Sequence, residues 1–141
     1  MPNAVPFSLI TPRATVFEGD AELVIAVGTE GEEGILPSHA PFLTALRPGV
    51  LRANVRDGSS TTMRIELACG EGFLQALPDK ITVLTDAAYA ADEVDVGATR
   101  EELAQAQQEQ RDAGGDLAAW QRAQSKIDFA TAKLKVVGVT V

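Results

Sequence analysis

Histidine, cysteine, tryptophan and tyrosine each occur once in this 141-residue chain, and those scarcities narrow its chemistry. Cys69 alone cannot close an internal disulfide, which fits a reducing cytoplasm, and its apolar strand-like setting predicts a small buried hydrophobe. One thiol and one imidazole leave neither a cysteine pair nor a histidine cluster to hold zinc. His39 stands beside Ser38, but neighbours in sequence do not make a catalytic triad, and no nucleophile motif surrounds either. Aromatics are only 5% of the residues, so the 45% that are apolar predict a mainly aliphatic core. No apolar run approaches the about 18 residues of a membrane span. The start, Met1 to Phe7, has neither a basic-then-apolar leader nor the Arg/Ser-rich character of a transit peptide. Cations are also short: 12 Lys and Arg face 20 Asp and Glu, for a net charge of −8. Nucleic acid and anionic membrane are therefore poor direct partners.

What the chain does have is an unusual stretch from Gly28 to Pro41. Glycines stand at Gly28, Gly31 and Gly34, acids at Glu30, Glu32 and Glu33, and prolines at Pro37 and Pro41. Glycine admits positive φ and proline fixes φ, so the stretch reads as a stiff, acidic, non-repetitive loop with the apolar insert Ile35-Leu36. The glycine spacing superficially resembles a phosphate cradle. It lacks the Lys-Ser/Thr of a nucleotide loop, and three carboxylates repel phosphate. Glu32-Glu33 resembles a glycosidase pair no better, since adjacent loop acids are ordinarily solvated. The single His39 is expected to pin the loop by hydrogen bonding.

Around this stretch, residues 5 to about 88 read as short strands. Phe7–Thr11 and Thr15–Phe17 flank Pro12-Arg13, and Ala21–Val27 follows a Glu18-Gly19-Asp20 turn. Val50–Val55 and Thr62–Ala68 are joined across Asp57-Gly58-Ser59-Ser60, a hairpin signal. Phe73–Leu77 and Ile81–Thr85 are joined through Pro78-Asp79-Lys80. Polar and apolar residues largely alternate from Leu51 to Arg56 and from Met63 to Leu67, as in strands with one wet face. Such a series predicts an antiparallel β-sandwich or flattened barrel over residues 1–88.

From Ala87 helical propensity takes over. Residues 94–112 read as one helix with Asp92 or Asp95 as N-cap, Gly114-Gly115 breaks it, and Asp116 caps a second. That second helix carries a stripe of Trp120, Ala123, Ile127, Ala130, Leu134 and Val137. Residues 89–141 thus form a helical hairpin after the sandwich, giving an α+β chain in two parts. The first helix offers little apolar surface, with Leu103 its one large central residue, so the hairpin must rest on the sandwich, on another subunit, or move between them. Charge divides unevenly: net −5 over 1–88, −5 over 89–115 and +2 over 116–141. Arg122, Lys126, Lys133 and Lys135 make the second helix a basic element, read either as a solvated face or as a docking face for an acidic partner.

The run Gly34-Ile-Leu-Pro-Ser-His-Ala-Pro41 behind a glycine- and acid-rich segment resembles the signature of the epsilon subunit of F-type ATP synthase. The resemblance continues through Leu43–Leu51, Gly70–Leu74 and Ile81–Asp86. It implies a sandwich of about ten strands plus a helical hairpin, and a non-catalytic central-stalk subunit without a cofactor or a metal. Implied partners are the gamma subunit and the c-ring, with Glu30, Gly31, Glu32, Glu33 and His39 at the rotor interface. Membrane contact would be indirect, on the cytoplasmic face of a bacterial inner membrane, although a mitochondrial relative is an open alternative. The hairpin is implied to regulate, permissive when folded on the sandwich and inhibitory when extended. In the extended form Arg122, Lys126 and Lys133 would dock on the alpha/beta catalytic head. Some members instead sense ATP, which is the rival reading here. The matching segment is Val94-Asp-Val-Gly-Ala-Thr99, with Asp95, Arg100, Arg122 and Lys126 as the candidate nucleotide residues. The family's arginine position is occupied by Ala98. A third reading, a free-standing enzyme, would need a polar pocket converging on His39.

Overall fold

The computed structural model describes residues 4–56 and 61–139. Among them, nine strands form one sheet that folds back on itself: β1 (Val5–Ile10), β2 (Thr15–Gly28), β3 (Gly31–Ile35), β4 (Phe42–Leu46), β5 (Gly49–Arg56), β6 (Thr62–Cys69), β7 (Gly72–Leu77), β8 (Lys80–Thr85) and β9 (Ala88–Tyr89). Strands run in the order β1-β8-β7-β4-β2-β5-β6-β9, with β3 added to β2, and β1 also pairs with β2. The path β1-β8-β7-β4-β2 therefore returns to β1, which closes the sandwich into a flattened barrel. All pairings are antiparallel except β1 with β8, which run parallel from Phe7↔Ile81 to Ile10↔Leu84. The expectation of an antiparallel sandwich is met but for this pair.

The long strand β2 serves both layers. Its first half pairs with β1 from Val5↔Ala21 to Ile10↔Thr15, and its second half pairs with β5 and β3. The expected turn at Glu18-Gly19-Asp20 does not exist, because ladder partners hold those residues extended. Gly19 is used for close approach instead: a Cβ there would lie 3.0 Å from the Phe17 ring and 3.3 Å from the Arg56 carbonyl oxygen. Strands β5 and β6 pair from Gly49↔Cys69 to Arg56↔Thr62, as the alternation predicts, while the Asp57–Ser60 connection lies outside the described residues.

Period-two alternation turns Val5, Phe7 and Leu9 of β1, Leu51, Ala53 and Val55 of β5, and Ile81 and Val83 of β8 into one core with Val24, Ile35 and Leu74. Among the described residues, Phe7 is the only aromatic of the fully buried large side chains, so the core is aliphatic as expected. Cys69 is buried in it, and desolvation pushes its thiol pKa up to about 12, so it stays neutral.

Ala87 to Asp92 was expected to begin the helical part. Instead β9 pairs with β6 through Ala68↔Tyr89 and Cys69↔Ala88, and a 3-10 turn follows at Ala91–Glu93. Alanine's helical preference loses here to the ladder that the β6 edge offers. Helix α1 spans Val96–Asp112, and the Ala98 amide donates to its Asp95 cap at 3.0 Å. Gly114, at φ +58°, ends the turn, and α2 spans Leu117–Val137 with the Ala119 amide donating to Asp116 at 3.1 Å. The helices run antiparallel, and α2 packs on β5 and β6. Its stripe is smaller than expected: Ala123, Ala130 and Leu134 are buried, Ile127 and Val137 half-buried, and Trp120 remains 43% exposed.

Candidate functional site

The acidic stretch is not a non-repetitive loop. Strand β3 pairs with β2 from Gly28↔Gly31 to Val24↔Ile35, making a tight hairpin whose turn is Thr29-Glu30. Gly31 sits at φ +130°, a region open to glycine, which is why a glycine follows the turn. Ile35 is buried in the core, Glu30 is exposed at the tip, and Glu33 is half-buried. Across β2, Arg52 donates to Glu32 at 2.7 Å, with Glu32 60% exposed. A pair this exposed orients Glu32 more than it stabilises the fold.

Behind the hairpin, Ser38 at φ 66° turns the chain, and the His39 amide donates to the Leu36 carbonyl at 3.2 Å. The His39 ring donates from Nδ1 to the Ala40 carbonyl at 2.8 Å and packs 5.7 Å from Phe42. A carbonyl only accepts, so Nδ1 carries the proton in this contact. His39 thus braces the segment between β3 and β4, the pinning role expected of it.

Beside this segment lies a surface that the sequence reading did not single out. Phe73 pairs with Leu84 and with Ala45, so β8, β7 and β4 place Leu84, Phe73 and Leu43 on the same outward face. Leu43 is 68% exposed, Phe73 56% and Leu84 50%, and Leu36 beyond β3 is exposed as well. Contiguous apolar side chains on an outer sheet face mark a contact surface. The signal was available: positions 43, 73 and 84 fall on the wet side of their strands yet hold Leu, Phe and Leu.

On the helices, the four candidate nucleotide residues are not gathered into one pocket. The Asp95 carboxylate caps α1, Lys126 Nζ pairs with Glu109 at 3.0 Å, and Arg100 and Arg122 are exposed. A groove of about 270 Å³ between α1 and α2 is lined by Glu102, Gln105, Ala106, Glu109, Lys126 and Phe129, two carboxylates against one ammonium. Nucleotide phosphates would find net repulsion there. Of the three candidate docking cations, Lys133 is buried, Lys126 is paired and Arg122 is exposed to solvent.

Where α2 meets the end of the sandwich, the Ser125 hydroxyl donates to Glu71, and Glu71 neighbours Asp86. Burial, then the Glu71 charge, raises the Asp86 pKa. A carboxylate whose folded pKa lies above its unfolded value destabilises the fold at higher pH, and the penalty fades as pH falls through the folded pKa. Asp86→Asn, which keeps the acceptor oxygen, should therefore raise Tm at pH 7, with the gain shrinking toward pH 4. Thermal unfolding at both pH values checks this, and a pH-independent difference would contradict it.

A family model for the β-sandwich domain of the ATP synthase delta/epsilon chain matches residues 4–91. The chain belongs to the ATP synthase delta/epsilon family. The matched span ends just after β9, and likeness to relatives carries on through both helices. The ATP synthase epsilon chain of Syntrophobacter fumaroxidans is 36% identical over 141 residues, 99% of this chain and 100% of that one. The epsilon chain of Exiguobacterium sp. is 41% identical over 93 residues, 66% of this chain and 65% of its own length. Among solved structures, a chain of the Euglena gracilis mitochondrial ATP synthase superposes with a TM-score of 0.76 at 18% identity, covering 96% of this chain and 81% of that one. That superposition shows a common fold of sandwich plus helical hairpin.

Proposed function

We propose that the chain is the epsilon-type central-stalk subunit of a rotary ATP synthase, without catalytic residues of its own. The observation that carries this reading is the pairing of two unlike surfaces on a sandwich of this family. The apolar face of Leu43, Phe73 and Leu84 suits a tight subunit contact, and the acidic β2–β3 hairpin suits polar loops. The first fits the gamma subunit and the second the c-ring, with Glu30 at the tip and Glu32 held by Arg52. No helix among the described residues is long and apolar enough to cross a membrane. Attachment through those partners would place the subunit at the membrane periphery, on the cytoplasmic side of a bacterial inner membrane.

The hairpin is the regulatory part in this reading. It lies folded on β5 and β6 here, the permissive arrangement, and its release would present Arg122 and the basic face of α2 to the catalytic head. ATPase turnover of the reconstituted head, with full-length chain and with a chain ending at Val94, tests the reading. Val94 retains Ala88 and Ala90, which pack against the core. Inhibition by the full chain, relieved several-fold by the truncation, is expected. Equal inhibition by both would remove the regulatory role.

A further inference from the structure

Among the described residues, Lys133 is the one charged residue that is buried. Its Nζ lies 2.7 Å from Glu102 Oε2 on α1, 5.0 Å from the Phe129 ring centroid on α2 and 5.2 Å from the Tyr89 ring centroid on β9. The two rings themselves stand 5.8 Å apart, tilted by 46°. One ammonium therefore joins both helices to the last strand of the sandwich. Rings within about 6 Å attract a cation through their negative faces, most strongly where water is excluded.

The two partners differ in their access to water. The Lys133 side chain is 10% exposed, whereas that of Glu102 is 54% exposed. A carboxylate already in water loses little solvation when the pair breaks. A buried ammonium left behind keeps the full cost of its desolvation, which removal of one partner of a buried pair exposes. Its way out is for α2 to lift from β9, which returns the ammonium to solvent.

We propose that Lys133 and Glu102 form an asymmetric latch, close to neutral for the fold while paired, that lets the hairpin lift from the sandwich once Glu102 is taken away. Any cationic group able to capture this half-exposed carboxylate is chemically suited to release it. The proposal rests on the reading of the hairpin as the regulatory part, and it revises the role of one residue. Lys133 closes the folded form from inside and becomes a docking cation only after α2 has lifted. The other polar ties across the helices, Lys126 with Glu109 and Gln110 with Gln124, join α1 to α2 without reaching the sandwich. Ser125 to Glu71 does reach it, but about two turns earlier on α2 and without a buried charge.

Hydrogen exchange on the full-length chain tests the latch, with β7 and β8 amides as the internal reference. Glu102→Gln should raise exchange of α2 amides and of the Tyr89 amide about tenfold, since local opening sets their protection. Lys133→Met, which keeps length and burial but removes the charge, should exchange close to the parent. Adding Lys133→Met to Glu102→Gln should restore protection, because no buried cation is then left uncompensated. Unchanged exchange in Glu102→Gln, or a double variant as open as Glu102→Gln alone, would overturn the latch. ATPase assays with the same variants separate the two ideas. Opening by exchange without altered turnover would sink the regulatory reading and keep the latch. A truncation that relieves inhibition beside a silent Glu102→Gln would do the reverse.

Discussion

Gly72→Ala should lower the urea midpoint of the isolated chain by about 1 to 3 M, reflecting a loss of about 3 kcal/mol or more. Gly72 opens β7 between two neighbours, pairing with Leu46 of β4 and Thr85 of β8. A Cβ on it would stand 1.8 Å from the Leu84 carbonyl oxygen and 2.8 Å from Leu84 C and Thr85 Cα. Those atoms are backbone, so no rotamer change relieves the overlap. The strand must move off β8, and it is tied there by the ladder running to Leu77↔Lys80. The seam with the hairpin would also suffer, because Glu71 and Asp86 flank the same spot. Gly115→Ala is the matched control: a Cβ there meets nothing within 4 Å. Its midpoint should stay level or rise slightly, as alanine restricts the unfolded chain. Equal midpoints for the two variants would show that β7 and β8 can part at little cost.

The second large effect concerns binding and leaves the fold alone. Phe73→Asp and Leu43→Asp alter side chains that are 56% and 68% exposed, so each should shift stability by no more than about 0.5 kcal/mol. Against the gamma subunit and c-ring, each should weaken affinity at least about 30-fold, the loss of roughly 2 kcal/mol expected at the centre of an apolar contact. Titration calorimetry or surface binding with the purified rotor measures this. Met63→Asp on β6, at a residue also exposed but off that face, should bind as the parent does. If the three variants bind alike, the outer face of β4, β7 and β8 is not the rotor contact.

What the sequence disclosed and what it withheld divide along local against non-local causes. Strand β5 was legible because Leu51, Ala53 and Val55 alternate with polar residues over a span that needs no partner to be recognised. The caps Asp95 and Asp116 and the turn at Gly114 were legible for the same reason, as each acts within a few residues of itself. Strand β3 was not. Gly31-Glu-Glu-Gly34 has weak strand propensity, and it is extended because the second half of β2 offers it a ladder. Glu18-Gly19-Asp20 failed in the same manner, held straight by β1 on one side and by the approach of Arg56 on the other. Strand β9 needed the β6 edge to override its alanines. Lys133 is the site residue that local reasoning placed least well. A lysine among other cations reads as solvated or docking, and its burial involves Tyr89, far back in the chain, as well as Phe129 and Glu102. The apolar patch was legible in principle, since Leu43, Phe73 and Leu84 break the polar side of their strands, but the alternation had to be assigned to faces first.

The shared strand β2 also has a mechanical consequence. Fourteen residues of strand, from Thr15 to Gly28, with an irregularity in the β5 ladder between Ala21 and Leu23, have a contour of about 45 Å at most and end at the acidic tip. A force applied sideways at Thr29-Glu30 is carried along that backbone and loads the hydrogen bonds to β1, β5 and β3 in shear, many at once. Peeling, which would break them one at a time, is hindered near the tip because from Asp20 onward β2 has partners on both edges. A sheet loaded this way yields late and together, so load reaching the tip is delivered to the rest of the barrel before the hairpin deforms.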